Sequence, residues 1–353
     1  MKVAILGDVH FGARNDSPHF SKFFEKFYNE IFFPYLEANQ IEHIIQLGDV
    51  FDRRKFINFA SLNDCNRYFF DRLYHGEYST YIIAGNHDVF YKNTNDLNSL
   101  NLLINRPNIE VITSKPKEII LNDVRILLCP WITDDNQQQT LEALSNTKAQ
   151  IVMGHFDMIG FEMYRGYVSD HGFDPKMFNK FDMVLSGHYH HRSTSGNITY
   201  VGTPYEMMWG DYDDQKGFHI LDLNTRELEF ISNPFTMFSK IHYDDINQPV
   251  GYVNGFDLSE LEGTYVKVII RNKLNPSWFD MLIDRLEKVG VADLQVVEDH
   301  FHLDLESDDD IVNQAEDTLT ILKKYIDQID TNVNKNKLEL LMRELYREAL
   351  SVE

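Results

Sequence analysis

The sequence predicts an α/β fold in which strands and helices alternate around a largely parallel sheet covered on both faces. Two observations carry this expectation. Apolar runs of strand length recur with helix-patterned segments between them. Five of those runs also end alike, in a glycine followed by Asp, Asn or His. Open α/β sheets collect ligands outside the carboxyl ends of their strands. One rim therefore accounts for both the alternation and the endings.

The first run, from Met1 to Leu6, reaches Gly7 and delivers Asp8 and His10. From His19 onward, Phe20, Phe23, Phe24, Phe27, Ile31 and Tyr35 fall near helical spacing, which predicts a core-facing helix that Pro34 ends or kinks. A strand over 43–47 delivers Gly48 and Asp49. A helix is expected over 58–74, then a strand over 80–84 that delivers Gly85, Asn86, His87 and Asp88. Two later runs lead to Gly154 with His155, and to Gly187 with His188, His190 and His191. Further on, a strand over 264–270, a helix over 276–289 and a strand over 293–297 form a β-α-β unit. Its Lys267, Arg271 and Lys273 suit either phosphate contacts or a solvated face. An acidic run at 306–310 precedes two helix patterns, 311–328 and 335–350, and the last carries Leu338, Leu341, Leu345 and Tyr346 on one stripe. Such a pair either packs back on the domain or docks on a partner.

Composition narrows the function classes. At 353 residues and 43% hydrophobic, the chain is expected to form one large domain and a smaller one. Its longest apolar runs fall short of a bilayer span, so no membrane is expected. The N-terminus enters a strand without a basic flank, and the two cysteines, Cys65 and Cys129, fit a reducing compartment. The expected location is the cytoplasm. A net charge of −22 repels phosphate. Action on DNA would need bound cations and a basic partner, and a small substrate is the other option.

The rim collects Asp8, His10, Asp49, Asn86, His155, His188 and His190, more ligands than a single tetrahedral site uses. The set suits two ions sharing a bridging carboxylate. Ions about 3.5–4 Å apart can clamp a phosphate and generate a hydroxide for in-line attack. Oxygen and imidazole donors without thiolate favour Mn²⁺, Fe or Zn. His87, beside Asn86, reads as a non-ligand that protonates the leaving oxygen or stabilises transition-state charge, with Asp88 orienting it.

Taken together, Asp-Val-His at 8–10, Gly-Asp-Val-Phe-Asp at 48–52, Gly-Asn-His-Asp at 85–88, Gly-His at 154–155 and Gly-His-Tyr-His at 187–190 resemble the calcineurin-like metallophosphoesterase superfamily. Within it the chain resembles the SbcD-type DNA repair nucleases, called meiotic recombination eleven in eukaryotes, and their T-even-type phage branch. Arg53, Tyr91-Lys-Asn and Val201-Gly-Thr-Pro carry that branch likeness. It is strong to about Phe218 and fainter beyond. The resemblance implies a sandwich of two mixed β-sheets flanked by helices, with a small α/β capping domain and C-terminal helices. The implied domains are 1–240, 241–305 and 306–353. It implies one ion on Asp8, His10, Asp49 and His190, and a second on Asp49, Asn86, His155 and His188. Asp49 bridges and His87 is the catalytic histidine. Many members carry histidine where this chain has Asp52.

The expected cofactors are two divalent ions, Mn²⁺ foremost and Mg²⁺ the alternative. The implied function is exonuclease action on double-stranded DNA and endonuclease action on single strands, in recombination, repair and end processing. The implied partners are DNA and an SbcC-like ABC-type coiled-coil ATPase, with a homodimer inside a heterotetramer. The dimer helices are expected near 59–74 and 96–105. A free-standing metallophosphatase or small-molecule phosphodiesterase is the alternative, although protein phosphatases of the superfamily show Asp-Arg-Gly and Gly-Asn-His-Glu where this chain has Arg54 and Asp88. A non-catalytic scaffold is the third class.

Overall fold

The protein is seen here as a computed structural model that describes residues 1–298 other than Arg165, and beyond them Lys335, Lys337 and Leu338. The readings made for 306–353 lie outside the described residues, apart from those three.

Two six-stranded sheets form the main body. The first contains β1 (Lys2–Leu6), β2 (His43–Gln46), β3 (Ser79–Ile83) and β4 (Ile109–Ile112), all parallel. The second contains β5 (Lys117–Leu121), β6 (Val124–Cys129), β7 (Ile151–His155), β10 (Met183–Gly187), β11 (Ser193–Ser195) and β12 (Ile198–Tyr200). Between β7 and β10 a short hairpin forms from β8 (Glu162–Tyr164) and β9 (Tyr167–Val168). Strands β13 (Gly217–Asp222) and β14 (Leu228–Ser232) complete the first sheet, antiparallel to β1 and to each other. The second sheet likewise keeps a parallel centre, β12-β10-β7-β6, between antiparallel margins.

The sandwich of two mixed sheets flanked by helices, which the family resemblance implied, is what the structure has, while the single sheet read from the alternation alone is corrected: the loaded strands belong to two sheets. Val3, Ile5, Ile45, Ile83 and Leu221 of the first sheet share a core with Ile126, Leu128, Ile151, Met153 and Leu185 of the second. The sheets thus pack face to face. The intervening residues Ala4, Leu6, Ile44, Ile82, Phe218 and Ile220 face the opposite way, into an aromatic layer of helix residues. Strands buried on both faces read as unbroken apolar runs, so the sequence pattern looks the same whether a helix or another sheet covers the second face.

That aromatic layer comes from two helical segments. Pro18–Phe27 and Phe33–Ala38 are joined by a wide turn at Tyr28–Phe32. Pro34 sits just after this turn, and the helix carries on to Ala38. Widening the ladder is a common way to accommodate a disruption inside a helix. The second segment starts at Asn58, whose side chain caps Ala60 N at 2.8 Å, and runs over Phe59–Cys65, Asn66–Phe70 and Asp71–His75. Phe24 stacks on Tyr205 at 3.8 Å, and Tyr28 packs on Phe69 at 4.9 Å.

A three-stranded parallel sheet follows: β15 (Phe238–Asp244), β16 (Tyr265–Asn272) and β17 (Asp293–Glu298). Helix Pro276–Val289 crosses over it and buries Phe279, Leu282 and Leu286 against Tyr243, Val266 and Val268. The β-α-β reading of this stretch matches these elements. Phe238 and Tyr265 also touch Phe20, at 6.0 and 5.4 Å. Two of the three cations named there lie over aromatic rings: Lys267 over Trp209 at 4.2 Å and Lys273 over Phe279 at 4.4 Å.

Candidate metal centre

The loops after β1, β2, β3, β7 and β10 converge where the carboxyl ends of both parallel blocks meet. Two ligand groups result. Asp8, His10 and His190 form one, and Asp49, His155 and His188 form the other. In each, the donor atoms lie within 4.8 Å of one another. Asn86 joins the second group through Oδ1, 2.9 Å from His155 Nε2. Asp49 Oδ2 stands between them, 3.4 Å from His155 Nε2 and 3.7 Å from His10 Nε2. All seven sequence-predicted ligands are thus in one place, and Asp8, His10, Asp49 and His155 are at most 2% exposed.

Backbone geometry explains two of the glycines that precede these residues, Gly85 and Gly187. A Cβ on Gly85 would stand 2.1 Å from Asp49 Oδ1, and one on Gly187 would stand 2.6 Å from Asp8 Oδ1. The chain must pass directly beside the carboxylates, and only glycine leaves room. His10, Asp49 and His188 themselves adopt left-handed φ of 40°, 53° and 86°. Such conformations are costly for non-glycine residues and cluster at functional sites.

The two groups are cross-linked. Both Asp8 oxygens accept from His188 N, at 3.1 and 3.0 Å, which ties the end of β1 to the end of β10. Asp49 Oδ1 accepts from His87 N at 2.7 Å. His155 Nδ1 bonds the Leu47 carbonyl at 2.8 Å, which leaves Nε2 to face the centre. Trp131, just past the end of β6, covers this side, with its ring 5.1 Å from His188 and 5.8 Å from His155. No motif pointed to Trp131. The only signal was its place after an apolar run.

Burial pushes the Asp8 carboxyl well above its usual range, with His155 opposing. Burial also works against Asp49, but His155, His87 and His10 pull it well below. Burial alone would lower His155, yet the Asp49 and Asp8 carboxylates lift it to about 9. Burial drives His10 and His188 well below the ordinary imidazole value. His190 falls to about 3, through burial and then the nearby Lys216 ammonium. Neutral His10, His188 and His190 and ionised Asp49 are the forms that bind cations, whereas Asp8 and His155 are shifted the other way, toward protonated forms whose protons a cation would displace.

These residues fit a pair of divalent ions. Both ring nitrogens of His10, and Nδ1 of His190, are buried without a hydrogen-bond partner among the described residues. Buried polar atoms are seldom left so, and a cation between the carboxylates would satisfy one of the two His10 nitrogens. The donors are oxygen and imidazole nitrogen, and the two cysteines are buried free thiols.

His87 stands beside the ligands without joining them. Its ring is 4.9 Å from that of His10, and its Nδ1 bonds the main-chain oxygen of Asp52 at 2.5 Å. The expected Asp88–His87 pairing is corrected here. Asp88 Oδ1 accepts from Val50 N and Phe51 N at 3.0 and 3.2 Å, and Oδ2 from Gly85 N at 2.9 Å. It pins the β2 and β3 loops together, and Asp52 does the orienting. The Asp52 carboxylate in turn stands 3.6 Å from His10 Nδ1. His191 turns outward, to Asp214 at 3.0 Å and Glu162 at 3.5 Å.

A sandwich whose two parallel blocks present paired carboxylate and imidazole groups at one rim defines a metal-dependent phosphoesterase. Residues 1–192 match the model of the calcineurin-like phosphoesterase family, and the chain belongs to that family. It is a hydrolase acting on phosphodiester bonds. A relative of full length is exonuclease subunit 1 of Enterobacteria phage T4, 31% identical over 353 residues and covering 99% of each chain. Among solved structures, an archaeal phosphodiesterase aligns with a TM-score of 0.33 and 13% identity, over 66% of this chain and 100% of its own. A glutamine-dependent NAD+ synthetase from Acinetobacter baumannii gives 0.27 and 9%, over 99% and 72%. Likenesses that shallow bear on neither fold nor function. Among the described residues, no helix is long and apolar enough to cross a membrane.

Proposed function

We propose that the chain is the nuclease subunit of a complex that processes DNA ends, with exonuclease action on duplexes and endonuclease action on single strands. The supporting observation is the pair of ligand groups with the Asp49 carboxylate between them. Asp8, His10, Asp49 and His190 would hold one divalent ion, and Asp49, Asn86, His155 and His188 the other. Mn²⁺ is the proposed ion in both, with Mg²⁺ the alternative. When bound, two such ions supply Lewis acidity to a phosphate and to the water that attacks it.

The chain's own part is positional. The hydrogen bonds that Asp8 accepts from His188 N tie the two groups together, and the one that Asp49 accepts from His87 N fixes Asp49 in place. The Asp52 carbonyl accepts a hydrogen bond from His87 Nδ1–H and fixes the ring, leaving Nε2 for the substrate. In its imidazolium form, with both ring nitrogens protonated, His87 can donate from Nε2–H to a phosphate oxygen or pass that proton to the leaving oxygen, ending as the neutral ring with Nδ1–H still on the carbonyl. Trp131 shields the second group from water.

The exonuclease relative supports DNA as substrate. The net charge of −22 then calls for a partner that supplies cations. An SbcC-like ATPase held by the Leu338, Leu341 and Leu345 stripe suits that need. We read 1–240 as the catalytic domain, 241–305 as a capping domain and 306–353 as the partner-binding segment. A homodimer through 59–74 and 96–105 is supported by Phe59 and Leu102, 87% and 71% exposed.

The test is cleavage by metal-free chain resupplied with Mn²⁺, on a chromogenic phosphodiester and on linear duplex DNA, with and without the ATPase subunit. Cleavage of both, with the duplex reaction stimulated by the partner, is expected. Activity on phosphomonoesters alone would contradict the nuclease reading.

A further inference from the structure

Lys216 is 4% exposed, unusually deep for an ammonium group. Its Nζ donates to Asp211 Oδ1 at 2.7 Å, to Asp214 Oδ2 at 2.8 Å and to the main-chain oxygen of the metal-ligand candidate His190 at 3.0 Å. Asp214 Oδ1 meets His191 Nδ1 at 3.0 Å. The contacts close a ring: His190, Lys216, Asp214, His191 and back along the chain. Asp211 anchors this ring, because its other oxygen accepts from Met207 N and Met208 N at 2.8 and 3.1 Å.

A buried ion cluster is weak evidence for stability, since well-packed apolar residues often do as well. This one has a geometric task. Histidines that bind metals normally donate their second ring nitrogen to a carboxylate or carbonyl, which fixes the ring. His190 does not: its Nδ1 is buried and has no partner among the described residues, while Nε2 faces Asp8 at 3.9 Å. The ring must be aimed some other way. The His190 carbonyl is held twice, by Lys216 Nζ and by Thr203 N at 3.2 Å, and His191 is held by Asp214. The backbone just after the His190 Cα is thus fixed, which limits where its ring can be carried.

We propose that Lys216 is the positioning residue for His190, a main-chain clamp closed through Asp214 and His191 that sets the divalent-ion affinity of the Asp8, His10 and His190 group. The inference rests on the dimetal reading of the site.

The experiment titrates metal-free full-length chain with Mn²⁺ and counts bound ions by loss of the free-ion electron paramagnetic resonance signal. Two backgrounds separate the groups: His188→Ala retains the first, and His190→Ala retains the second. Lys216→Met should weaken Mn²⁺ binding about 10–100-fold in the first background and leave it unchanged in the second. His191→Phe, at a half-buried position outside the core, should give a severalfold loss confined to the first background. If circular dichroism shows Lys216→Met unfolded, His191→Phe decides by the same criteria. Unchanged affinity in the first background, or equal losses in both, would overturn the clamp. A parent chain that binds fewer than two ions would overturn the dimetal reading beneath it.

Discussion

The two ligand groups share one rim but are built differently. The second group is finished by protein contacts: His155 is tied to Leu47 O, Asn86 and Asp49, and Trp131 closes over it. The first is left open. Among the described residues neither His10 nitrogen has a hydrogen-bond partner, the His190 ring packs on His10 and Tyr164 with its Nδ1 unpartnered, and both Asp8 oxygens accept from His188 N. A preassembled group and one completed by its ion can coexist because Asp49 and the Asp8–His188 bonds link them. The second group should therefore bind its ion with less rearrangement, and changes around the first should show more readily in metal affinity.

The largest expected effect comes from removing the shared element. Asp49→Ala should lose both ions and nearly all phosphodiesterase activity, read by metal analysis and a chromogenic substrate. Retention of one tightly bound ion would mean that the groups are independent. Next comes His87, which touches neither ion in this account. His87→Ala should keep both ions and lower kcat by about 10²–10⁴. A parallel fall in metal content would make it a ligand.

Asp88 sharpens the comparison by acting on the frame beneath both groups. Asp88→Ala leaves the amides of Val50, Phe51 and Gly85 unsatisfied and should cost about 3–9 kcal/mol of stability, at about 1–3 kcal/mol per buried orphan. Urea unfolding reads this directly. An unchanged midpoint with a reduced kcat would restore the role expected from its place beside His87. The smallest effect is assigned to the Asp52 side chain. Its link to His87 runs through the main chain, so Asp52→Asn should spare kcat and weaken ion binding in the first group by about tenfold, the low end for groups that orient a ligand. A kcat loss at full metal occupancy would place its carboxylate in the chemistry instead.

The ligands were legible in the sequence because each sits one to three residues past a glycine that ends an apolar strand, a local pattern with a local cause. The helices over 18–38 and 58–75 and the β-α-β unit were legible from spacing alone. The pairing of two sheets was not legible from the runs, since strands buried on both faces carry no mark of what covers them, and it followed only from the likeness of the combined motifs to a known superfamily. Asp88 misled because adjacency in sequence suggested a side-chain pair, whereas the folded loop turns its carboxylate to backbone amides from β2. Trp131 and Lys216 escaped because their importance lies in contacts to distant segments: Trp131 against His188, and Lys216 against a carbonyl 26 residues earlier. The acidic total says nothing of where the charges lie, and the burial of Asp8 and Asp49 within the two candidate ligand groups emerges only in the fold.

The proposed chemistry requires two ions at one rim with Asp49 between them. Anomalous diffraction from crystals of the full chain grown with Mn²⁺ measures this directly. Two peaks about 3.5–4 Å apart are expected, one against Asp8, His10 and His190 and the other against Asn86, His155 and His188, with Asp49 touching both. A single peak, or two peaks that do not share Asp49, would contradict it.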